Sequence, residues 1–139
     1  MIARLVVPLL LAVATPALAA EDEEALACVK TKVWESYKDG WALRTMRTSM
    51  MGLDEQRTSL VTLYAGRSYR FQVCGTESIG DVDIVMYDLD GKVVARDTTT
   101  DRQPVFEVND KVGNFYVVVH VRSLAKPGLG GVALAVTHK

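Results

Sequence analysis

From about Thr45 onward, the apolar residues of this chain recur at every second position. The clearest run is Phe115, Val117, Val119 and Val121, interleaved with Tyr116, Val118 and His120. Successive side chains on a strand point to opposite faces, so such alternation specifies an extended segment and rejects a helix, whose period is about 3.6 residues. The same pattern predicts strands over 45–51, 57–64, 67–74, 82–88, 92–96, 105–108, 115–121 and 132–137. Between them lie turn residues: Ala65-Gly66, Asp90-Gly91, the stretch 110–114, and the glycine-rich loop 126–131. Asp-Gly tolerates the positive φ that tight hairpins require. Seven or eight short strands separated by such turns predict an antiparallel β-sandwich or small barrel, here over residues 45–139.

The N-terminus follows other rules. Residues 1–4 carry one positive charge, residues 5–14 are apolar apart from Pro8, and Ala17 and Ala19 stand in an A-x-A arrangement. This reads as a signal peptide over residues 1–20 with cleavage after Ala19 or Ala20, because signal peptidase admits only small side chains there. The signal resembles bacterial ones, which places the expected destination in the periplasm or outside the cell. The apolar run is shorter than the ~20 residues a membrane span needs, so no span is expected in the mature chain.

Residues 21–41 are expected to form one helix. Its start is acidic, which suits the positive end of the helix dipole, and Leu26, Val29, Val33 and Tyr37 recur at helical spacing. Asp39-Gly40 supplies a stop. A narrow stripe of this kind must lie on something larger.

Cys28 and Cys74 are the only cysteines. An even count in an exported chain predicts a disulfide, the alternative being two separate thiols. Parity puts Tyr69, Phe71 and Val73 toward the core and Cys74 outward. A bridge would then hold the helix on the outside of a sheet, covering outward residues such as Val85, Tyr87, Tyr116 or Val118, whose strands are apolar on both faces.

Three runs carry a family resemblance. Residues 60–71 contain Leu63, Ala65, Gly66, Tyr69 and Phe71 in an L-x-A-G-x-x-Y-x-F pattern. Residues 81–88 contain Asp81, Asp83, Tyr87 and Asp88, followed by Asp90-Gly91. Gly113, Phe115, Val117 and Val119 form a late strand. In this order and spacing they resemble the bacterial pre-peptidase C-terminal domain, over about Leu60 to Val136. The resemblance implies a jelly-roll-like β-sandwich that is exported and usually appended to secreted proteases.

Little here looks catalytic. Net charge is −1, so there is no basic excess to neutralise phosphates and a nucleic-acid partner is not expected. His138 is penultimate and His120 stands alone mid-strand, with no nucleophile elbow and no paired metal ligands. The sharper candidate is a carboxylate cluster. A hairpin turning at Asp90-Gly91 brings Asp81 and Asp83 to the same end as Asp97, with Asp101 in the adjoining loop. Calcium, a hard cation with oxygen ligands, would fit four such carboxylates; the plainer reading is solvated acids paired with Arg67, Arg96 or Arg102. No other cofactor is expected. Trp34 and Trp41, seven residues apart, are either sugar-stacking aromatics or one packing ridge. Arg44, Arg47 and Arg57, near Met50-Met51, form a mildly basic patch.

The resulting expectation is an exported, non-catalytic binding module for a protein or an envelope polysaccharide. The alternatives are a structural or chaperone-like envelope protein acting through a sheet edge, and a hydrolase with an unrecognised carboxylate site.

Overall fold

A computed structural model describes residues 16–139, and the side chains from Ala20 onward. The apolar part of the expected signal peptide lies outside the described residues. One helix, α1 (Pro16–Lys38), precedes eight strands: β1 (Ala42–Met51), β2 (Gln56–Leu63), β3 (Ser68–Gly75), β4 (Ile79–Tyr87), β5 (Val93–Asp97), β6 (Val105–Asn109), β7 (Gly113–Leu124) and β8 (Gly130–His138). Strands pair antiparallel in two four-stranded sheets, β1-β8-β3-β6 and β2-β7-β4-β5. That interleaved order is a jelly roll: each sheet collects strands from both ends of the chain.

The alternation does what a sandwich requires. Tyr69, Phe71 and Val73 of β3 and Val132 and Val136 of β8 face Val82, Ile84 and Met86 of β4 and Val117 and Val121 of β7. Most of these side chains have no exposure to solvent. Phe71 stacks on Phe106 at 4.9 Å between ring centroids. Each large side chain fully buried in this layer contributes about 1.5–3 kcal/mol.

The helix packs on the outer face of the first sheet. Ala25 and Val29 are fully buried against Cys74, Ala133 and Ala135, with Leu26, Val33 and Met46 at the margins. This corrects the expected partners: Val85, Tyr87, Tyr116 and Val118 belong to the second sheet, whereas α1 packs on β8, β1 and β3 of the first. Parity fixed which side of β3 carries Cys74, but not which sheet β3 joins. The signal lay in β8, where Gly131, Ala133 and Ala135 alternate with larger residues. On the helix side of β8, three small residues in a row leave room for a helix. At Gly131 a side chain would collide with the Glu21 carbonyl.

Tyr37 also departs from expectation. Ser36 takes the buried place and Tyr37 is exposed. There the helix passes over Arg70, whose guanidinium donates to the Ser36 hydroxyl at 3.0 Å and lies 4.2 Å from the Trp41 ring. Gly40, at φ 92°, ends the helix and lets the chain turn into β1.

Candidate functional site

Cys28 and Cys74 form a disulfide, with Cα atoms 6.1 Å apart. It joins the middle of α1 to β3 across the small-residue seat. A second anchor holds the start of the described helix side chains. The Glu21 carboxylate accepts hydrogen bonds from the Thr76 and Ser78 hydroxyls and from the Gly131 N–H at 3.1 Å. Burial alone would push its carboxyl up, but these donors outweigh that and hold it below the ordinary range. Sequence reading missed this anchor, because the three donors come from the β3–β4 loop and from the start of β8, far from residue 21.

The four aspartates of the proposed calcium corner are placed as follows. Ile84 stands opposite Asp97 across the β4–β5 hairpin, close to the expected register. Ile84 faces the core, so Asp97 leaves the sheet on the opposite side from Asp83, which faces outward beside His120. The Asp97 carboxylate accepts from the Thr99 N–H at 3.1 Å and the Val105 N–H at 2.9 Å. Burial raises its carboxyl, but the Thr99 and Val105 donors prevail and lower it. Asp81 accepts from the Asp101 N–H and Asp101 from the Gln103 N–H. These are loop-fastening roles. Among the described residues, no three His, Cys, Asp or Glu side chains gather as a metal ion would need.

Asp83 is different. Burial, then the neighbouring Asp81, push its carboxyl above the usual range, against the opposing pull of Arg122 and His120. Arg122 Nε lies 3.7 Å from its Oδ2. His120 Nε2 faces Asp54 Oδ1 at 3.6 Å, beyond hydrogen-bond reach and an ion pair only when the imidazole is protonated.

The larger feature is the outer face of the second sheet. Leu60, Tyr116, Tyr87 and Val93 lie in register across all four of its strands. Leu60, Tyr116 and Val93 are 59%, 41% and 45% exposed. Behind this row run Thr58, Val118, Val85 and Arg96, and behind that Gln56, His120 and Asp83. An apolar belt thus crosses a sheet face that no described element covers, with charges along one margin. Such patches on soluble proteins mark interaction surfaces.

Trp34 and Trp41 do not form one ridge. Trp41 lies beyond the helix, buried between Arg70 and Lys139, while Trp34 is exposed and stacks on Tyr37 at 5.7 Å with ring planes 9° apart. His138 is likewise pinned: it pairs with Ala42 and Tyr69, and Ser68 and Lys139 exchange two backbone hydrogen bonds beyond it.

No family profile and no curated protein matches the sequence. Solved structures do match its fold. The pre-peptidase C-terminal domain of a collagenase from Bacillus anthracis superposes with a TM-score of 0.53 at 20% identity, covering 68% of this chain and 89% of that one. A periplasmic inhibitor of g-type lysozyme from Aeromonas hydrophila gives a TM-score of 0.51 at 11% identity, covering 73% and 90%. The three sequence runs and the superposition agree: the chain is a β-sandwich with the fold of a pre-peptidase C-terminal domain.

Proposed function

We propose that this protein is an exported, non-catalytic module that binds a protein partner across the outer face of its second sheet. The observation that carries the reading is the exposed row Leu60, Tyr116, Tyr87 and Val93 on a face left bare, while the matching face of the first sheet is sealed by a helix. Tyrosine is enriched at protein interfaces and among their hot spots, and such interfaces carry a polar rim. A disulfide suits an oxidising compartment outside the cytoplasm, and no described helix is long and apolar enough to cross a membrane. One structural neighbour acts on a protein, g-type lysozyme, which supports the partner class.

A second reading has its own observation. The coplanar, exposed Trp34–Tyr37 pair on α1 has the shape of a sugar-stacking platform and favours an envelope polysaccharide. Photo-crosslinking from position 116 in the full exported chain separates the two. The protein reading expects a protein adduct that Tyr87→Ser abolishes and that a probe at position 34 does not form. Absence of that adduct, with retention on peptidoglycan resin lost in Trp34→Ala, overturns it in favour of the polysaccharide.

A further inference from the structure

The two lateral sides of the sandwich are built differently. On one side β5 and β6 lie against each other; on the other β1 and β2 scarcely touch, although the loop 52–55 links them directly. Between β1 and β2 lies a cavity of about 270 Å³ lined by Arg44, Arg47, Ser59, Leu60, Val61 and Leu134, continued by one of about 130 Å³ that shares Arg47, Ser59 and Leu134. Together they form a groove along the open side.

The lining is unusual for its position. Thr45, Arg47 and Ser49 sit opposite Val136, Leu134 and Val132 on β8, so they occupy the core-facing side of β1. Arg57 and Ser59 sit opposite Val119 and Val117 on β7, the core-facing side of β2. Polar and cationic residues thus replace apolar ones along the side where the sheets part. No carboxylate lines either cavity. Arg57 is paired with Glu55 at 2.9 Å, but no described carboxylate pairs with Arg44 or Arg47. Arg44 stands over the Tyr64 and Tyr69 rings, and its buried Nη1 has no hydrogen-bond acceptor. A buried guanidinium nitrogen without an acceptor is costly until an anion supplies one. Both walls are edge strands, whose outward N–H and C=O groups have no neighbouring strand to pair with.

We propose that this groove receives an acidic, extended polypeptide segment of a partner protein, added as a strand at the free edge of β1 with its carboxylates on Arg44 and Arg47. The edge backbone recognises the main chain, the arginines recognise the side-chain charge, and Val61, Leu134 and Val136 form an apolar floor. Carboxylates at alternate positions of an extended segment share one face, which is the face the arginines line. The groove and the bare face of the second sheet meet at Leu60, but Tyr116, Tyr87 and Val93 line neither cavity, so substitutions there test the face without touching the groove.

The test uses the full, disulfide-bonded chain and a blocked octapeptide alternating glutamate and threonine, titrated by calorimetry, with amide exchange recorded on β1. The proposal expects saturable binding that weakens with salt, added protection of β1 amides, and about tenfold weaker binding in Arg47→Glu and in Arg44→Gln. Arg47→Gln, the milder change, covers the case in which Arg47→Glu fails to fold and should fall between it and the parent. Tyr116→Ser should leave peptide binding unchanged, which separates this site from the one proposed above. Absence of saturable binding, equal binding of the lysine-threonine peptide, or equal binding of a sulfated glycan of matched charge without β1 protection would overturn it.

Discussion

The two sheets of this sandwich differ most on their outer faces. On the first, β8 presents Gly131, Ala133 and Ala135, and a helix is seated there by a disulfide and by the Glu21 anchor. On the second, the equivalent surface presents Leu60, Tyr116, Tyr87 and Val93 to solvent. Small residues invite a covering element from the same chain, because only they let a helix approach closely. Large amphipathic residues leave no such room and offer contact area to something else. One face is therefore finished within the molecule, and the other is left uncovered by the described elements.

Breaking the seat should cost most. Cys28→Ser or Cys74→Ser frees the helix across a loop with a sequence separation of 46, and chain entropy values that closure at about 4 kcal/mol. Urea denaturation should show a fall in unfolding free energy of that size, matched by reduction of the parent. A negligible shift would mean the helix holds its seat without the bridge. Filling the seat comes next: Ala135→Leu should destabilise by about 1–3 kcal/mol through overpacking, whereas Val85→Thr on the bare face should stay within about 0.5 kcal/mol. Equal costs in a melting comparison would dissolve the contrast between the faces.

Acid sharpens the comparison further. Glu21 and Asp97 have lowered carboxyl pKa values, so their contribution is complete above the ordinary carboxylate range and is lost as pH falls through their folded values. Asp83 on the bare face is raised, so ionising it opposes folding as pH rises through the carboxylate range. Asp83→Asn should therefore raise the melting temperature at neutral pH, while Glu21→Gln should lower it, with both differences shrinking toward strong acid. The reverse signs would mean the two environments are misassigned. Smallest of all is calcium. With Asp81, Asp97 and Asp101 already receiving backbone N–H groups, millimolar calcium should leave the midpoint unmoved. A rise of several degrees would restore a cation to that corner.

Most of the strand arrangement was legible in the sequence. Each predicted strand matches an observed one to within a few residues, because period-two burial is a local property that survives without knowledge of neighbours. Pairing across the Asp90-Gly91 hairpin was legible for the same reason, and so was the outward direction of Cys74. What was not legible is non-local. Which sheet takes the helix depends on β8 lying beside β3, about sixty residues away in sequence. The sequence marked Tyr87 and Tyr116 as outward and Arg44, Arg47 and Arg57 as a basic patch, but not that the first lie on an uncovered face and the second along an open side, because Leu60, Tyr87, Tyr116 and Val93 come from four strands, and Arg47 and Arg57 from two. Trp34 misled for another reason: heptad spacing to Trp41 assumes one continuous helix, and Gly40 ends it first.

The position of β8 has a further consequence. It lies between β1 and β3, so the last nine residues of the ordered array are also the middle of the first sheet. A ribosome delivers β8 after the other seven strands, and until then β1 has no paired neighbour and the helix lacks the largest part of its floor. Assembly must wait for this eighth strand, so a chain truncated before Gly130 should persist as an unfolded thread instead of a smaller version of the same protein.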